Sequence, residues 1–209
     1  HSFSVGNAIK NGVPVAIIGE TNAGKSTLLN VLLNEDKAIV SDIHGTTRDV
    51  IEDTVNIGGI TFRFIDTAGI RDTEDVVEKI GVERAKKYLN NADLVIYVVD
   101  TSTALDENDH EIMELLKDRH AIVLLNKSDL SPVTTVEDIR KHLDKKMISI
   151  SAKEQTGMDD LEETIKEMFF SGEVTFNDEV YITNIRHKTS LQEAVSYTHL
   201  RAHETSQDL

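Results

Sequence analysis

Residues 13–29 read VPVAIIGETNAGKSTLL, and the interpretation of the whole chain depends on this stretch. Its first six residues form a largely apolar run, which is typical of a strand buried on both faces. Residues 19–26 then match the spacing G-x-x-x-x-G-K-[ST], which joins a strand to a helix in phosphate-binding proteins. The glycines let backbone N–H groups converge on a phosphate, and the helix N-terminus adds a favourable dipole. We therefore predict a phosphate-binding loop.

The amino-acid types in this loop predict separate roles. Lys25 is expected to reach the β- and γ-phosphates of a nucleotide, and the Ser26 hydroxyl to ligate Mg²⁺. The competing interpretation is a chance glycine turn before a helix, and the full pattern in its strand–loop–helix setting argues against it. The residues of the loop that we expect to contact the nucleotide are Asn22, Ala23, Gly24, Lys25, Ser26 and Thr27.

Apolar runs alternate with helical patterns along the rest of the chain. Buried strands are predicted at Val13–Ile18, Ile60–Ile65, Leu94–Val99, Ala121–Leu125 and Met147–Ile150. An alternating pattern predicts an edge strand at Val50–Ile57, joined to the next strand by a hairpin at Gly58-Gly59. Helices are predicted at Ser26–Leu33, Glu74–Leu89, Asp106–Lys117, Val136–Leu143 and Met158–Phe170. This order predicts an α/β domain with helices on both faces of a mostly parallel sheet.

We expect this domain to occupy residues 13–172. Residues 1–12 and 173–195 lack enough apolar partners for a second core and are predicted to be short flanking segments. Residues 196–209 are polar and show no consistent periodicity, so we predict that they are disordered or foreign to the natural protein.

Composition excludes several classes of function. Of the 209 residues, 22 are Lys or Arg and 37 are Asp or Glu, which gives a formal net charge of -15. Such a field repels nucleic-acid backbones, so no direct nucleic-acid binding is expected. The absence of cysteine excludes disulfides, thiolate metal sites and cysteine nucleophiles. With no signal-peptide pattern and no apolar run near the ~20 residues of a membrane span, we expect a cytoplasmic protein without membrane contact.

A second motif, Asp66-Thr67-Ala68-Gly69, follows a predicted strand. Ligands bind at the carboxyl ends of the strands in open α/β sheets. Asp66 can hold Mg²⁺ through water there, and the Gly69 N–H can contact the γ-phosphate. A strand-terminal aspartate alone is often only a helix N-cap, but together with the phosphate loop it indicates a nucleotide site.

A third and a fourth motif concern the base. Asn126-Lys127-Ser128-Asp129 follows another buried strand, and Ser151-Ala152-Lys153 follows the last one. The Asp129 carboxylate can accept two hydrogen bonds from guanine, whereas adenine would leave it unpaired. A backbone N–H of residues 151–153 can bind the guanine oxygen. A polar turn is the alternative for the third motif, but the order of all four motifs predicts a GTP-binding domain.

A threonine-rich segment lies between the first helix and the edge strand, at residues 41–49. A loop in this position can fold over the γ-phosphate, and Thr47 can then provide a second hydroxyl ligand for Mg²⁺. An ordinary loop is the alternative. The residues of this segment that we expect to contact GTP are Ser41, Asp42, Ile43, His44, Gly45, Thr46 and Thr47.

Together with their neighbouring residues, these motifs resemble the tRNA modification GTPase MnmE family. The similar runs are GNAIKNG at 6–12, DTAGIRDT at 66–73, VEKIGVE at 77–83 and TNIRH at 183–187. The resemblance covers roughly residues 2–194 and is most specific at 66–83. It implies a Ras-like P-loop GTPase fold, with residues 1–12 and 173–195 as stubs of a helical domain.

The resemblance also implies how water is activated. In Ras-like proteins a glutamine directly after the D-x-x-G motif orients the attacking water. Ile70 holds that position here and has no polar atom for the task. The family assigns the role to a glutamate that matches Glu78. Without the resemblance, Glu78 would be interpreted as one more solvated carboxylate.

K⁺ dependence is a further implication of the resemblance. The family places K⁺ near the phosphates, where its charge replaces that of an arginine finger. The matching ligands are the Asn22 amide and the backbone carbonyls of Ser41, Ile43 and Thr46. The loop closes fully when two G domains form a homodimer. Thr21 replaces a proline that is usual in the family, and Glu20 adds a negative charge near the phosphates.

Full-length members of the family also carry a folate-binding and a helical domain, and they modify the wobble uridine of tRNA with the flavoprotein MnmG. We therefore expect this chain to bind and hydrolyse GTP but not to modify tRNA alone. The alternative is a ribosome-assembly GTPase of the Era or Der type that acts as an RNA-docked scaffold. The charge of -15 argues against it. A P-loop kinase is disfavoured because it would have no use for the guanine motif.

Overall fold

The computed structural model describes residues 12–34, 53–57, 60–67, 70 and 82–170. Several predictions from the sequence lie outside these residues. They concern the loop at 41–49, residues 50–52 of the predicted edge strand, the hairpin turn at 58–59, Ala68, Gly69, and residues 74–81 of the predicted helix, which include Glu78. They also concern residues 1–11 of the first flanking segment, residues 171–172 at the end of the predicted domain, and everything from 173 to 209.

The described strands form one six-stranded sheet in the order β2-β3-β1-β4-β5-β6. They are β1 (Val13–Gly19), β2 (Thr54–Ile57), β3 (Ile60–Phe64), β4 (Leu94–Asp100), β5 (Ala121–Asn126) and β6 (Lys146–Ser149). β2 lies at the edge and pairs antiparallel with β3, whereas all other pairs are parallel. The mostly parallel sheet with an antiparallel edge strand is therefore confirmed.

Helices cover both faces of this sheet. They are α1 (Lys25–Asn34), α2 (Val82–Asn91), α3 (Glu107–Leu116), α4 (Val136–Arg140) and α5 (Met158–Phe170). β-strand side chains alternate between the two faces. Val15 and Ile17 pack with residues of α1 and α5 in one core, whereas Ala16 and Ile18 pack with residues of α2, α3 and α4 in the other. The predicted three-layer α/β architecture is confirmed.

The end of α4 differs from the prediction. The sequence pattern continues to Leu143, but the helix ends at Arg140. The His142 N–H donates to the carbonyl of Ile139, three residues earlier, at 2.9 Å, which is the spacing of a tighter turn. The Leu143 N–H donates to the same carbonyl at 2.9 Å. Leu143 lies beyond that turn and is buried there. Its apolar side chain continued the helical pattern, so the predicted helix was too long.

Parallel pairing places the carboxyl ends of β1, β3, β4, β5 and β6 at one edge of the sheet. The phosphate loop follows β1, the D-x-x-G motif follows β3, and the two base motifs follow β5 and β6. The topology thus brings motifs that are far apart in sequence to a common edge. No helix in the described part of the chain combines the length and the apolar character that crossing a bilayer requires.

Candidate nucleotide-binding site

The phosphate loop connects β1 to α1 in a compact turn. The Ala23 N–H donates to the carbonyl of Glu20 at 3.2 Å, and the Leu28 N–H donates to that of Gly24 at 2.9 Å. Asn22 has a φ of 63°, a left-handed conformation that asparagine tolerates better than most residues. The first turn of α1 carries no acidic side chain, so its N-terminal dipole favours an anion.

Gly24 is required by both its conformation and its surroundings. Its φ of 101° is one that residues with a Cβ rarely adopt. A Cβ at this position would also collide with the side-chain amide of Asn126. The glycine of the motif thus allows the phosphate loop to lie directly against the end of β5.

The Lys25 ammonium is held at the loop itself. Only 6% of the residue is exposed, and its Nζ donates to the carbonyls of Gly19 at 2.8 Å and Glu20 at 2.6 Å. A buried cation beside the loop is suited to a phosphate ligand. The Glu20 carboxylate accepts a hydrogen bond from the Asn108 side chain at the start of α3, which ties the loop to that helix.

The residues after β3 lie at the same edge but outside the cleft that the phosphate and base motifs line. Asp66 is exposed, has a φ of 51°, and accepts a hydrogen bond from the Tyr88 hydroxyl of α2 at 2.7 Å. Thr67 is buried. Mg²⁺ prefers hard oxygen ligands. The Ser26 hydroxyl in the cleft lining and the Asp66 carboxylate after β3 are both of that type, so the donor chemistry at this edge of the sheet fits the ion.

Asn126 joins three segments at the base end of the site. It is 3% exposed, and its Nδ2 donates to the carbonyl of Ala23 in the phosphate loop at 2.7 Å. Its Oδ1 accepts from the N–H of Ala152 at 2.9 Å. One side chain at the end of β5 thus links the phosphate loop to the segment after β6.

The Asp129 carboxylate is oriented by Ser151. The Ser151 hydroxyl donates to Oδ1 of Asp129 at 2.6 Å and accepts from the N–H of Glu154 at 3.1 Å. This hydrogen bond lowers the pKa of Asp129 below its usual value, despite a smaller opposing effect of desolvation. The carboxylate is therefore ionised at neutral pH and can accept hydrogen bonds from a base.

One cleft of about 440 Å³ connects the two ends of the site. Its lining consists of phosphate-loop residues and base-motif residues: Asn22, Gly24, Lys25, Ser26, Thr27, Asn126, Lys127, Asp129, Leu130, Ser151, Ala152 and Lys153. All except Leu130 were expected from the sequence. The Ala23 side chain is buried outside this lining, although its carbonyl binds Asn126.

Sequence reasoning missed two residues of this region. Leu130 lines the cleft with 49% of its surface exposed, and its only signal is its place directly after Asp129. Asp100, at the carboxyl end of β4, pairs with the ammonium of Lys127 at 2.5 Å. A carboxylate at a strand end on the ligand-binding edge was the available signal for Asp100. The residues expected at 41–47, 68–69 and 78 lie outside the described ranges.

A phosphate loop and a guanine-type aspartate on one mostly parallel sheet define a P-loop GTPase domain. The family model described as "50S ribosome-binding GTPase" matches residues 14–127. The tRNA modification GTPase MnmE of Lachnoclostridium phytofermentans is 56% identical over 189 residues, which is 90% of this chain and 41% of that protein. The MnmE of Bacteroides thetaiotaomicron is 54% identical over 208 residues, or 95% of this chain and 44% of that protein.

The chain therefore belongs to this family of GTPases, and within it to the tRNA modification GTPases MnmE. It spans less than half the length of these two curated relatives.

Solved structures support the same fold. The chain matches the G domain of the FeoB iron transporter of T. maritima with a TM-score of 0.52 and 28% identity, covering 74% of this chain and 97% of that one. It matches Era in complex with MgGDPNP and a segment of 16S ribosomal RNA with a TM-score of 0.53 and 34% identity, covering 73% of this chain and 55% of that one. The Ras-like P-loop GTPase fold is thus confirmed.

Proposed function

We propose that this chain is the G domain of an enzyme that modifies the wobble uridine of tRNA, and that it hydrolyses GTP with Mg²⁺ and K⁺. The observation that carries the proposal is the single cleft that joins Lys25 and Ser26 to Asp129. The relatives named as tRNA modification GTPases support the biological context. The solved complex of Era with MgGDPNP supports Mg²⁺ as the ion that accompanies the nucleotide.

The proposed contacts divide by position in the cleft. Residues 22–27, 41–47 and 66–69 contact the phosphates. The base is contacted by Asn126, Lys127, Asp129 and residues 151–153. The ligands we assign to Mg²⁺ are Ser26 and Thr47, and those for K⁺ are Asn22, Ser41, Ile43 and Thr46. Asn22 lies in the cleft lining and is exposed, which is consistent with an amide ligand for a cation.

Hydrolysis forms a bond between a water oxygen and the γ-phosphorus and breaks the bond from that phosphorus to the β–γ bridging oxygen, in line. The products are GDP, phosphate and the proton that the water loses. Glu78 orients the water, and Lys25 stabilises the negative charge that develops on the phosphates. When bound, Mg²⁺ and K⁺ would supply further positive charge at the phosphates.

The wider assignments follow from the family. We propose that the chain forms a homodimer through its G domains, which lets the loop at 41–49 close fully. We also propose a cytoplasmic location and, for the full-length protein, MnmG and tRNA as partners. We further propose that the G domain spans residues 13–172, flanked by stubs of a helical domain. The alternative, an RNA-docked scaffold, is disfavoured by the net charge of -15.

GTP hydrolysis in KCl and in NaCl at equal ionic strength tests the proposal. The purified chain is assayed over a range of protein concentrations, with phosphate release as the readout. An equivalent arginine raises the rate by roughly 10³–10⁵-fold, and we expect K⁺ to raise the rate of this chain by up to that factor. The rate should also rise faster than in proportion to protein concentration, because the site is completed by dimerisation.

ATP at the same concentration serves as the control for the guanine motif and should be hydrolysed far more slowly. Equal rates in the two salts would refute the K⁺ assignment. Equal rates with ATP and GTP would refute the assignment of Asp129 to the base.

A further inference from the structure

Lys127 lines the cleft at the base end, and both its backbone and its ammonium group are held by contacts. Its backbone has a φ of 64°, and its carbonyl accepts from the N–H of Leu130 at 2.9 Å. Its Nζ lies 2.5 Å from Oδ2 of Asp100. Exposure of the side chains is 30% for Lys127 and 12% for Asp100, so this ion pair is partly shielded from water.

The pair follows from strand register. Asp100 is the last residue of β4 and lies opposite Asn126, the last residue of β5. The N–H and the hydroxyl of Thr101 both donate to the carbonyl of Asn126, at 3.1 and 2.8 Å. Because these bonds hold the two strand ends together, the residue after Asn126 lies within reach of the Asp100 carboxylate.

Asp100 is itself held in place. Its Oδ1 accepts from the N–H of Ser102 at 2.9 Å and from the Ser102 hydroxyl at 2.5 Å. Partial burial disfavours the ionised carboxylate, but the hydrogen bonds from Lys127 and Ser102 outweigh it and hold the pKa of Asp100 below its usual value. The carboxylate is therefore charged at neutral pH and attracts the ammonium.

We propose that Asp100 is a positioning residue for nucleotide binding, because it orders the Lys127 side chain at the base end of the cleft before a nucleotide enters. The inference rests on the proposed function of this cleft. A lysine side chain loses much rotamer freedom when it becomes part of a binding site. If Asp100 already restricts the Lys127 side chain, this loss of rotamer freedom does not lower the affinity for the nucleotide.

The chain offers a matched control pair on α4. Oδ2 of Asp138 accepts from the Thr135 hydroxyl at 2.8 Å, and its Oδ1 accepts from the Lys141 Nζ at 3.0 Å. Asp138 thus has the same kinds of partner as Asp100, a hydroxyl and a lysine. This pair is more exposed and does not line the cleft.

The test compares Asp100→Asn with Asp138→Asn in GDP titrations and GTP kinetics. Asparagine keeps an oxygen for the bonds from Ser102 but removes the charge that holds the lysine. We expect Asp100→Asn to weaken GDP binding and raise KM by about 2- to 10-fold with kcat nearly unchanged. Asp138→Asn should leave all three quantities at the wild-type value.

A double-mutant cycle with Lys127→Met separates positioning from a general structural role. If Asp100 acts through Lys127, Asp100→Asn should have no further effect on GDP affinity in the Lys127→Met background. Additive effects would overturn the inference, as would wild-type GDP affinity in Asp100→Asn. Lys127→Met removes the same ion pair through its other member. If the Asp100 variant fails to fold, wild-type GDP affinity in Lys127→Met would still refute the inference.

GDP and ADP titrations of the wild-type chain keep the two failures apart. If the wild-type chain prefers GDP and Asp100→Asn binds GDP with wild-type affinity, the inference is refuted but the proposed function is not. No preference for GDP over ADP refutes the proposed function of the cleft, and the inference with it.

Discussion

The two ends of the cleft are built in different ways. At the base end, side chains bind one another and the backbone of neighbouring loops: Asn126 binds Ala23 and Ala152, and Ser151 binds Asp129. At the phosphate end, the Lys25 ammonium binds the carbonyls of its own loop instead. The base end thus has a network that fixes its shape, whereas the phosphate end offers a cation that an incoming phosphate would attract away.

This difference predicts that nucleotide binding depends mainly on the base end and GTP hydrolysis mainly on the phosphate end. A preformed site binds without a large ordering cost, so substitutions at the base end should act on affinity. At the phosphate end, Lys25 is proposed to stabilise the charge that develops during hydrolysis, so substitutions there should act on turnover. The following variants test this division.

Replacement of Glu78 by alanine should have the largest effect on turnover. We propose that this carboxylate orients the attacking water, and such groups contribute roughly 10²–10⁴-fold to the rate. The kcat for GTP should fall by about that factor, while GTP affinity changes by less than about twofold because the water is no part of the binding site. Single-turnover phosphate release and equilibrium titration with a non-hydrolysable analogue measure the two quantities.

Glu114→Ala is the control for Glu78→Ala, because Glu114 is an exposed helix carboxylate paired with Lys117. Its removal should leave kcat unchanged. Turnover of Glu78→Ala close to that of Glu114→Ala would show that Glu78 is only a solvated carboxylate. A large loss of affinity in Glu78→Ala would contradict the division between the two ends.

Asn126→Ala should break the link between the two ends. The substitution leaves the buried carbonyl of Ala23 and the buried N–H of Ala152 without their side-chain partner. Unsatisfied buried groups cost about 1–3 kcal/mol each, so the free energy of unfolding should fall by about 2–6 kcal/mol. GDP affinity should fall as well, because the base motif loses its contact with the phosphate loop. Urea denaturation and calorimetric titration measure both effects.

Asn91→Ala provides the matched control. Asn91 is exposed, and its side chain donates to the carbonyl of Lys87 in its own helix, at 3.2 Å. Such a surface change is expected to alter the free energy of unfolding by less than about 0.5 kcal/mol. Equal stability of the two alanine variants would mean that the amide of Asn126 does not hold the ends together.

Features that depend on neighbouring residues could be predicted from the sequence. The run at 13–18 and the spacing of Gly19, Gly24 and Lys25 identified β1, the phosphate loop and α1, because a strand, a tight turn and a helix start each leave a local signal. The strand at 54–57 alternates in polarity, and it lies at one edge of the sheet.

Pairs between distant residues could not be predicted in this way. Asp100 and Lys127 are 27 positions apart, and their contact depends on β4 and β5 being neighbours in the observed register. The bond from the Tyr88 hydroxyl to Asp66 likewise depends on how α2 packs near the end of β3. The end of α4 was missed because apolar spacing does not distinguish a helical turn from the tighter turn that buries Leu143.

The smallest effect is expected for Ser151→Ala, which tests whether the base end is set by its own hydrogen bonds. The Ser151 hydroxyl lowers the pKa of Asp129, so its removal should raise that pKa toward the ordinary 3.8. We propose that GDP binding needs the ionised carboxylate, so affinity should then begin to fall at a higher pH on acidification, with little change at pH 7. Carboxyl ¹³C NMR titration measures the pKa directly. Thr135→Ala removes the equivalent bond to Asp138 and should leave Asp129 unchanged. An unchanged pKa in Ser151→Ala would show that the orientation of Asp129 has another origin.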